Sequence, residues 1–151
     1  MISEHDSMNT DADLVDRLLA LWRDPPADDA DALAAFRALY TDPVDVNGVT
    51  VSAADLLARA RILHRAYSGL HNEVLDVVTA ADRVVIAFRM LGTHTGPLPT
   101  PVGTVAPTGR PVSIRTIDVL TVVDGRIARV IVVGDELGAL VALGAVGPAA
   151  G

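Results

Sequence analysis

Three side chains in the C-terminal half of the sequence are suited to proton transfer: His94, Asp118 and Asp135. Asp118 lies within one apolar run, Asp135 directly follows the next, and His94 is near the end of an earlier one. An apolar environment raises the pKa of a carboxyl group toward neutrality, because burial disfavours the charged form. Such a group can take a proton from carbon and return it to a carbonyl oxygen, and an imidazole can polarise that carbonyl. The residue types therefore indicate general acid/base chemistry.

A tight turn positions the two carboxylates. Asp124-Gly125 separates two apolar runs, which favours a hairpin with a type I′ turn. If Val123 pairs with Arg126 and the pairing continues without a bulge, Asp118 lies opposite Ile131. Because side chains alternate between the two faces of a strand, Asp135 then shares the face of Asp118. That predicted face is otherwise largely apolar, and its members are Ile114, Thr116, Asp118, Leu120, Val122, Ile127, Ile131, Val133 and Asp135.

His94 ends a run of alternating residues from Arg83 to Thr95. One face of this strand combines His94 with apolar residues, whereas the other includes Arg89, so the pattern predicts that His94 points inward. A functional histidine here would polarise a substrate carbonyl or orient Asp135. The alternative is a structural histidine that binds a backbone carbonyl.

Each carboxylate also has a structural interpretation. Asp135 begins a predicted helix, where an aspartate often only caps the first turn. Asp118, buried in mid-strand, needs a partner, since burying an unpaired charge costs several kcal/mol. A backbone amide, Tyr40, Trp22 or a ligand could fill that role.

The order of predicted elements is three helices, a meander of four long strands and a closing helix. The helices begin near Asp11, between Asp28 and Asp31, and after Ser52, and residues 42–51 form a small hairpin. This order predicts an α+β fold, in which three N-terminal helices pack in a curved, mostly antiparallel sheet and leave a conical space. The proline-rich loop 96–109 is predicted to cover the mouth of that space. We expect residues 1–10 to be disordered, 11–146 to form one domain and 147–151 to be a flexible tail.

Composition excludes several classes of function. A net charge of −7 and a pI near 4.8 argue against a nucleic-acid partner or an anionic membrane surface. The absence of cysteine excludes thiolate chemistry and disulfides. No apolar run reaches the roughly 18 residues of a membrane span, and the N-terminus does not resemble a signal peptide, so we expect a cytoplasmic protein. His5, His64 and His71 lack metal-ligand spacing, so we expect no metal site.

Three segments resemble the SnoaL-like polyketide cyclase family, which has the cone-shaped fold of nuclear transport factor and ketosteroid isomerase. They are GTHTGPL at Gly92–Leu98, IDVLTVVDGRI at Ile117–Ile127 and GDELGALVALG at Gly134–Gly144. The resemblance implies cofactor-free, intramolecular aldol closure of a polyketide ester. It also implies that Asp135 is the general acid/base and that His94 lies in the same cavity.

We expect the predicted cavity to bind an apolar or, as the resemblance implies, polyketide-like small molecule, with Asp118 orienting it. Six further residues are predicted to contact that molecule: Trp22, Tyr40, Phe88, Met90, Thr116 and Ile131. A binding protein of the same fold without catalytic activity is the alternative. An epoxide hydrolase or hydratase ranks lower, because Asp118 and Asp135 are about 13 Å apart in the predicted register and cannot share one water.

The other face of the predicted sheet is too apolar for solvent. Its members include Val85, Leu91, Ile117, Val119, Val130 and Val132. We therefore expect a homodimer that packs sheet to sheet, with coverage by a helix as the alternative.

Overall fold

The computed structural model describes residues 4–150, which form four helices and eight strands. The helices are α1 (Glu4–Arg23), α2 (Asp29–Leu39), α3 (Ala53–Ala66) and α4 (Glu136–Ala142). The strands are β1 (Tyr40–Val46), β2 (Val49–Val51), β3 (Tyr67–Ala80), β4 (Arg83–His94), β5 (Leu98–Thr100), β6 (Gly103–Val105), β7 (Pro111–Val123) and β8 (Arg126–Gly134). No helix of this described part is long and apolar enough to cross a membrane.

Six strands form one sheet in the order β2-β1-β8-β7-β4-β3. Neighbours pair antiparallel except β1 and β8, which are parallel. The α+β, mostly antiparallel prediction is confirmed. The predicted loop 96–109 contains a separate two-stranded hairpin, β5–β6.

Local signals in the sequence fix several element boundaries. Ser52 and Asp55 form a capping box that begins α3, as the pattern predicts, and Asn47-Gly48 adopts positive φ between β1 and β2. The start of α1 differs from the prediction, because the helix begins at Glu4 rather than near Asp11. The disorder expected for residues 1–10 is therefore wrong for 4–10, whereas 1–3 lie outside the described residues, as does 151 at the end of the expected tail.

The β7–β8 hairpin starts in the predicted register and then departs from it. Asp124 and Gly125 have φ of 49° and 76°, and Val123 pairs with Arg126 and Val122 with Ile127. Between Thr121 and Val122 the register shifts, so that Thr121 pairs with Arg129. A bulge with one extra residue in β8 moves every residue that follows it on that strand to the opposite face of the sheet.

The bulge corrects the predicted faces of β8. Asp118 pairs with Val132 instead of Ile131, and Val130 is buried while Ile131 is 43% exposed. Val130 and Val132 thus belong to the concave face and Ile131 and Val133 to the convex face, the reverse of the prediction.

The core consists of two clusters on the concave face of the sheet. The first joins α1, α2 and α3 to one end of the sheet, including Val84, Ile86 and Leu120. The second joins Val112 at the other end to Tyr67 and to Ala139 and Leu143 of the closing helix region. Between them, Phe88, Met90, Ile114, Thr116, Asp118 and Val132 are only partly buried. The concave face is therefore less completely buried in its middle than at its two packed ends.

Candidate functional site

Asp118 lies in the middle of β7 on the concave face. Its neighbours in register are Ile86 of β4, which is fully buried, and Val132 of β8. Its Oδ1 atom is buried and has no hydrogen-bond partner among the described residues. Burial raises the pKa of Asp118 to about 6. This carboxyl group therefore exchanges its proton near neutral pH, as general acid/base chemistry requires.

Trp22 and Tyr40 form a hydrogen-bonded pair in the first core cluster. Trp22 is near the end of α1, and its Nε1 donates to Tyr40 Oη at 2.9 Å. The rings of Trp22 and Tyr40 both pack against Phe36, with centroid distances of 5.5 and 6.1 Å. Burial raises the pKa of Tyr40, and the charge of Asp118 raises it further, although the bond from Trp22 lowers it. Tyr40 consequently keeps its proton at physiological pH.

His64, which sequence reasoning assigned no role, holds this pair in place. Its Nε2 lies 2.7 Å from the backbone carbonyl oxygen of Trp22. Because His64 is in the last turn of α3, the bond ties the end of α1 to α3. In the sequence, the one signal for this role is that His64 lies on α3 beside the apolar stripe of Leu56, Leu57 and Ala60.

Asp135 does not lie on the concave face. It is the exposed N-cap of α4, and its Oδ1 accepts from the backbone N–H of Gly138 at 2.9 Å. The predicted orientation is wrong because the bulge reverses the faces of β8, and the capping interpretation is confirmed. Solvent access removes the desolvation on which the predicted acid/base role depends.

His94 points inward as predicted and is fully buried. Its Nδ1 accepts from the backbone N–H of Thr108 at 3.3 Å and lies 3.0 Å from Thr108 Oγ1, and its ring is 5.8 Å from that of Tyr67. His94 therefore belongs to the second cluster and fixes the end of the 96–109 segment. It is eight residues along β4 from Ile86, the partner of Asp118, or about 27 Å of extended strand. The structure does not bring His94, Asp118 and Asp135 together.

The predicted wall residues divide between the two faces. Phe88 pairs with Thr116 and Met90 with Ile114 on the concave face, where all four are partly exposed. Ile131 is on the convex face, so its predicted contact with substrate is wrong, and Val132 occupies the corresponding concave position. On the concave face Asp118 thus has Phe88, Thr116 and Val132 as neighbours, and Met90 lies further toward the second cluster.

A cleft of about 280 Å³ lies elsewhere, between α1 and α2. It is lined by Arg17, Ala20, Leu21, Ala35, Ala38 and Leu39. Its one ionisable side chain, Arg17, already lies 3.7 Å from Asp13. This cleft has no residues suited to proton transfer, so the candidate site is the stretch around Asp118.

Solved structures share this fold over most of the chain. TsrD from Streptomyces laurentii matches with a TM-score of 0.77 at 21% identity, covering 91% of this chain and 97% of its own. AclR from Streptomyces galilaeus, a candidate hydroxylase, matches with a TM-score of 0.72 at 26% identity, covering 93% of this chain and 99% of its own. IdmH from Streptomyces antibioticus, a candidate polyketide cyclase, matches with a TM-score of 0.70 at 20% identity, covering 89% of this chain and 98% of its own. No curated protein matches the chain by sequence.

The fold is of the cone-shaped, ketosteroid-isomerase-like α+β class. More specifically, the chain belongs to the SnoaL-like polyketide cyclase family, whose model matches residues 12–143.

Proposed function

We propose that this chain is a cofactor-independent enzyme of the polyketide cyclase type, in which Asp118 is the general acid/base. The observation that supports the proposal is a buried, unpartnered carboxylate oxygen on the concave face of the sheet, on a group with a pKa of about 6. Family membership supports a cyclase-type reaction. Asp118 takes the role that the sequence resemblance implied for Asp135.

The reaction needs one group that both accepts and returns a proton. Ionised Asp118 removes a proton from a carbon between two carbonyl groups and leaves an enolate. The enolate carbon attacks a second carbonyl carbon of the same molecule and forms the carbon–carbon bond. The resulting alkoxide oxygen takes the proton from Asp118, which restores the carboxylate, so atoms and charge balance without a further reactant.

The charge of the site favours a neutral substrate. The concave positions of β4, β7 and β8 include no Lys or Arg, and Asp118 itself becomes negative. A free carboxylate beside it would be repelled in a low-dielectric environment. We therefore propose an esterified, polyketide-like substrate whose apolar body contacts Phe88, Val132 and Trp22.

Asp118→Asn tests the proposal, with Asp135→Asn as the matched control. The probe is ethyl benzoylacetate, whose active methylene exchanges hydrogen for deuterium in D₂O, followed by NMR against buffer alone. Loss of the general base should reduce the enzyme-dependent rate by about 10²–10⁴-fold in Asp118→Asn. Asp135→Asn should retain the wild-type rate, because Asn also caps a helix.

The same experiment separates the enzyme from a non-catalytic binding protein, which the apolar concave face also favours. If the wild-type chain binds the ester but does not accelerate hydrogen exchange, the chain is a binding protein and the enzyme proposal is rejected. Hydrolysis by paired carboxylates is not proposed, because Asp118 and Asp135 lie on opposite faces of the sheet.

We further propose that the convex face pairs with a second copy of the chain. Ile117, Ile131 and Val133 are 50%, 43% and 68% exposed there, since the described helices pack on the concave side. Arg115 lies directly opposite Arg89 in register, and such like-charged pairs are destabilising.

Charge complementarity supports a second copy as the occupant. Arg89 binds Glu73 at 2.7 Å, whereas Arg115 has no ion pair with any described residue. Asp76 and Asp135 are exposed on the same face, toward its rim. Two-fold pairing of these faces would bury the apolar residues and give each Arg115 a carboxylate of the other copy.

A further inference from the structure

Gly134 ends β8 on the concave face, directly opposite Thr116 of β7. A Cβ atom at this position would lie 3.4 Å from Thr116 Oγ1 and 3.8 Å from Ile114 Cγ2, which are side-chain atoms of the same face. Gly134 is itself partly exposed, so solvent reaches the surface beside these side chains. The glycine therefore leaves the hydroxyl of Thr116 uncovered on its β8 side.

The backbone does not require a glycine at position 134. Its φ is not positive, and the nearest backbone atom to an added Cβ is the Arg115 carbonyl oxygen, at an ordinary contact distance of 3.8 Å. At Gly138, by contrast, a Cβ would collide with the carboxylate of Asp135. A glycine within a strand costs stability and often marks a place where a ligand approaches the backbone closely. Since neither conformation nor packing accounts for Gly134, this second explanation applies to it.

The hydroxyl that Gly134 leaves uncovered has no partner. Thr116 is partly exposed, and its Oγ1 forms no hydrogen bond with any described residue. Asp118 follows two residues later on the same face, and its buried Oδ1 is likewise unpartnered. The Cα atoms of two such residues are about 7 Å apart along a strand. A free hydrogen-bond donor thus stands beside the carboxyl group without binding it.

This separation suits one carbonyl group and the carbon atom next to it. The hydroxyl of Thr116 would donate to the carbonyl oxygen, while Asp118 takes a proton from the adjacent carbon. Negative charge then develops on that oxygen, which strengthens the hydrogen bond in the enolate. On β4, Phe88 lies directly opposite Thr116 and offers an aromatic surface, so the open approach to the hydroxyl is on the side of Gly134.

We propose that Thr116 binds a carbonyl oxygen of the substrate and that Gly134 determines specificity by keeping this hydroxyl accessible. The inference rests on the proposed function, because it takes Asp118 as the group that removes the proton. It narrows the substrate to a molecule whose carbonyl oxygen lies beside Gly134, next to the carbon that loses a proton. Any side chain at position 134 would occupy the space that this oxygen needs.

Thr116→Val tests the hydrogen bond, with Thr116→Ser as the matched control that keeps the hydroxyl. Binding is measured by NMR titration with ethyl benzoylacetate and with propylbenzene, which has the aromatic ring but no carbonyl. Thr116→Val should bind the ester about three- to tenfold more weakly, because one neutral hydrogen bond is lost. It should bind propylbenzene as wild type does, and Thr116→Ser should bind both ligands as wild type does. A Thr116→Val variant that weakens both ligands equally, or neither, overturns the proposal, as does a wild-type chain that does not bind the ester.

Gly134→Ala and Gly134→Val test the space beside the hydroxyl. An alanine Cβ fits at contact distances of 3.4 Å and more, so Gly134→Ala should fold. Both variants should bind the ester more weakly than wild type, and valine should have the larger effect because it covers more of Thr116. Gly147→Ala is the control, since a Cβ there meets nothing within 4 Å, and it should bind the ester as wild type does. Wild-type affinity in Gly134→Ala and Gly134→Val overturns the specificity role; should Gly134→Val not fold, Gly134→Ala decides alone.

The deuterium-exchange assay separates this inference from the proposed function. Thr116→Val should lower the enzyme-dependent exchange rate of the ester by about 10²-fold, as expected for the loss of one donor to the developing oxyanion. If Asp118→Asn retains exchange while Thr116→Val loses affinity for the ester alone, the catalytic assignment fails and the carbonyl site stands. If Asp118→Asn loses exchange while the Thr116 and Gly134 variants bind and exchange as wild type does, the proposed function stands and this inference fails.

Discussion

Asp118 determines the pH range in which the proposed enzyme works. Its pKa of about 6 means that the base form predominates above that pH. We expect kcat/KM to rise with pH and to level off, with an apparent pKa near 6 on the acid limb. Initial rates with the ester probe between pH 4.5 and 8 measure this limb. A limb near 4, the value of a solvated carboxyl group, would show that another group is the base.

The same carboxyl group affects folding stability. The pKa of Asp118 is raised from 3.8 in the unfolded chain to about 6 in the folded one, so between these values the folded protein binds more protons. Its contribution to stability is complete below pH 3.8 and is lost as pH rises through about 6. The loss amounts to about 3 kcal/mol in the free energy of unfolding.

Comparison with Asp118→Asn isolates this effect. Other carboxyl groups act in the opposite direction, such as Asp42, whose pKa is lowered by a hydrogen bond from the Ala53 backbone. They contribute equally to both proteins. Urea unfolding at pH 4, 5, 6 and 7 should show wild type losing stability relative to the variant as pH rises. Parallel curves would contradict the burial of this group.

At the scale of the element, the β8 bulge decides which carboxylate reaches the concave face. The extra residue reverses the side on which Ile131 and Val133 lie, and it keeps Asp135, the N-cap of α4, off the concave face. Asp118 is unaffected because β7 pairs with β4 without interruption from Arg83 to Thr93.

The capping role of Asp135 predicts a stability effect without a catalytic one. Asp135→Ala removes the acceptor for the Gly138 N–H and should lower the free energy of unfolding by about 1 kcal/mol. Asp135→Asn should cost much less. Denaturant unfolding measures both, and the exchange rate of the ester probe should remain that of wild type. A large loss of exchange activity in either variant would restore Asp135 as the catalytic acid.

At the scale of the whole molecule, the cone separates two surfaces. Its concave side holds Asp118 between two packed clusters, whereas its convex side exposes apolar residues and Arg115. Dimerisation through the convex side would leave the concave side open to substrate.

A charge in the centre of the convex face should prevent this pairing. Ile117→Asp would bury an unpaired carboxylate in the interface and should convert a dimer into a monomer. Light scattering after size-exclusion chromatography measures the mass. Val102→Asp is the control, because Val102 is 75% exposed between β5 and β6, away from the sheet. A wild-type monomer, or an Ile117→Asp dimer, would reject the convex interface.

The sequence determined much of the fold, because its signals are local. Alternation identified β4 and β7, Asp124-Gly125 set the first pairs of the hairpin, and Ser52 marked the start of α3. Since β4 and β7 are regular, the inward orientation of His94 and the concave position of Asp118 also followed from alternation alone.

Tertiary structure decided which of these residues could work together. A bulge depends on how β8 adapts to β1 and β7, which no turn signal in the sequence records, and it removed Asp135 and Ile131 from the concave face. The distance between His94 and Asp118 depends on strand length and on which cluster packs at each end. The burial of Asp118 likewise arises only when the N-terminal helices pack against the sheet, because burial is a property of packing between distant segments.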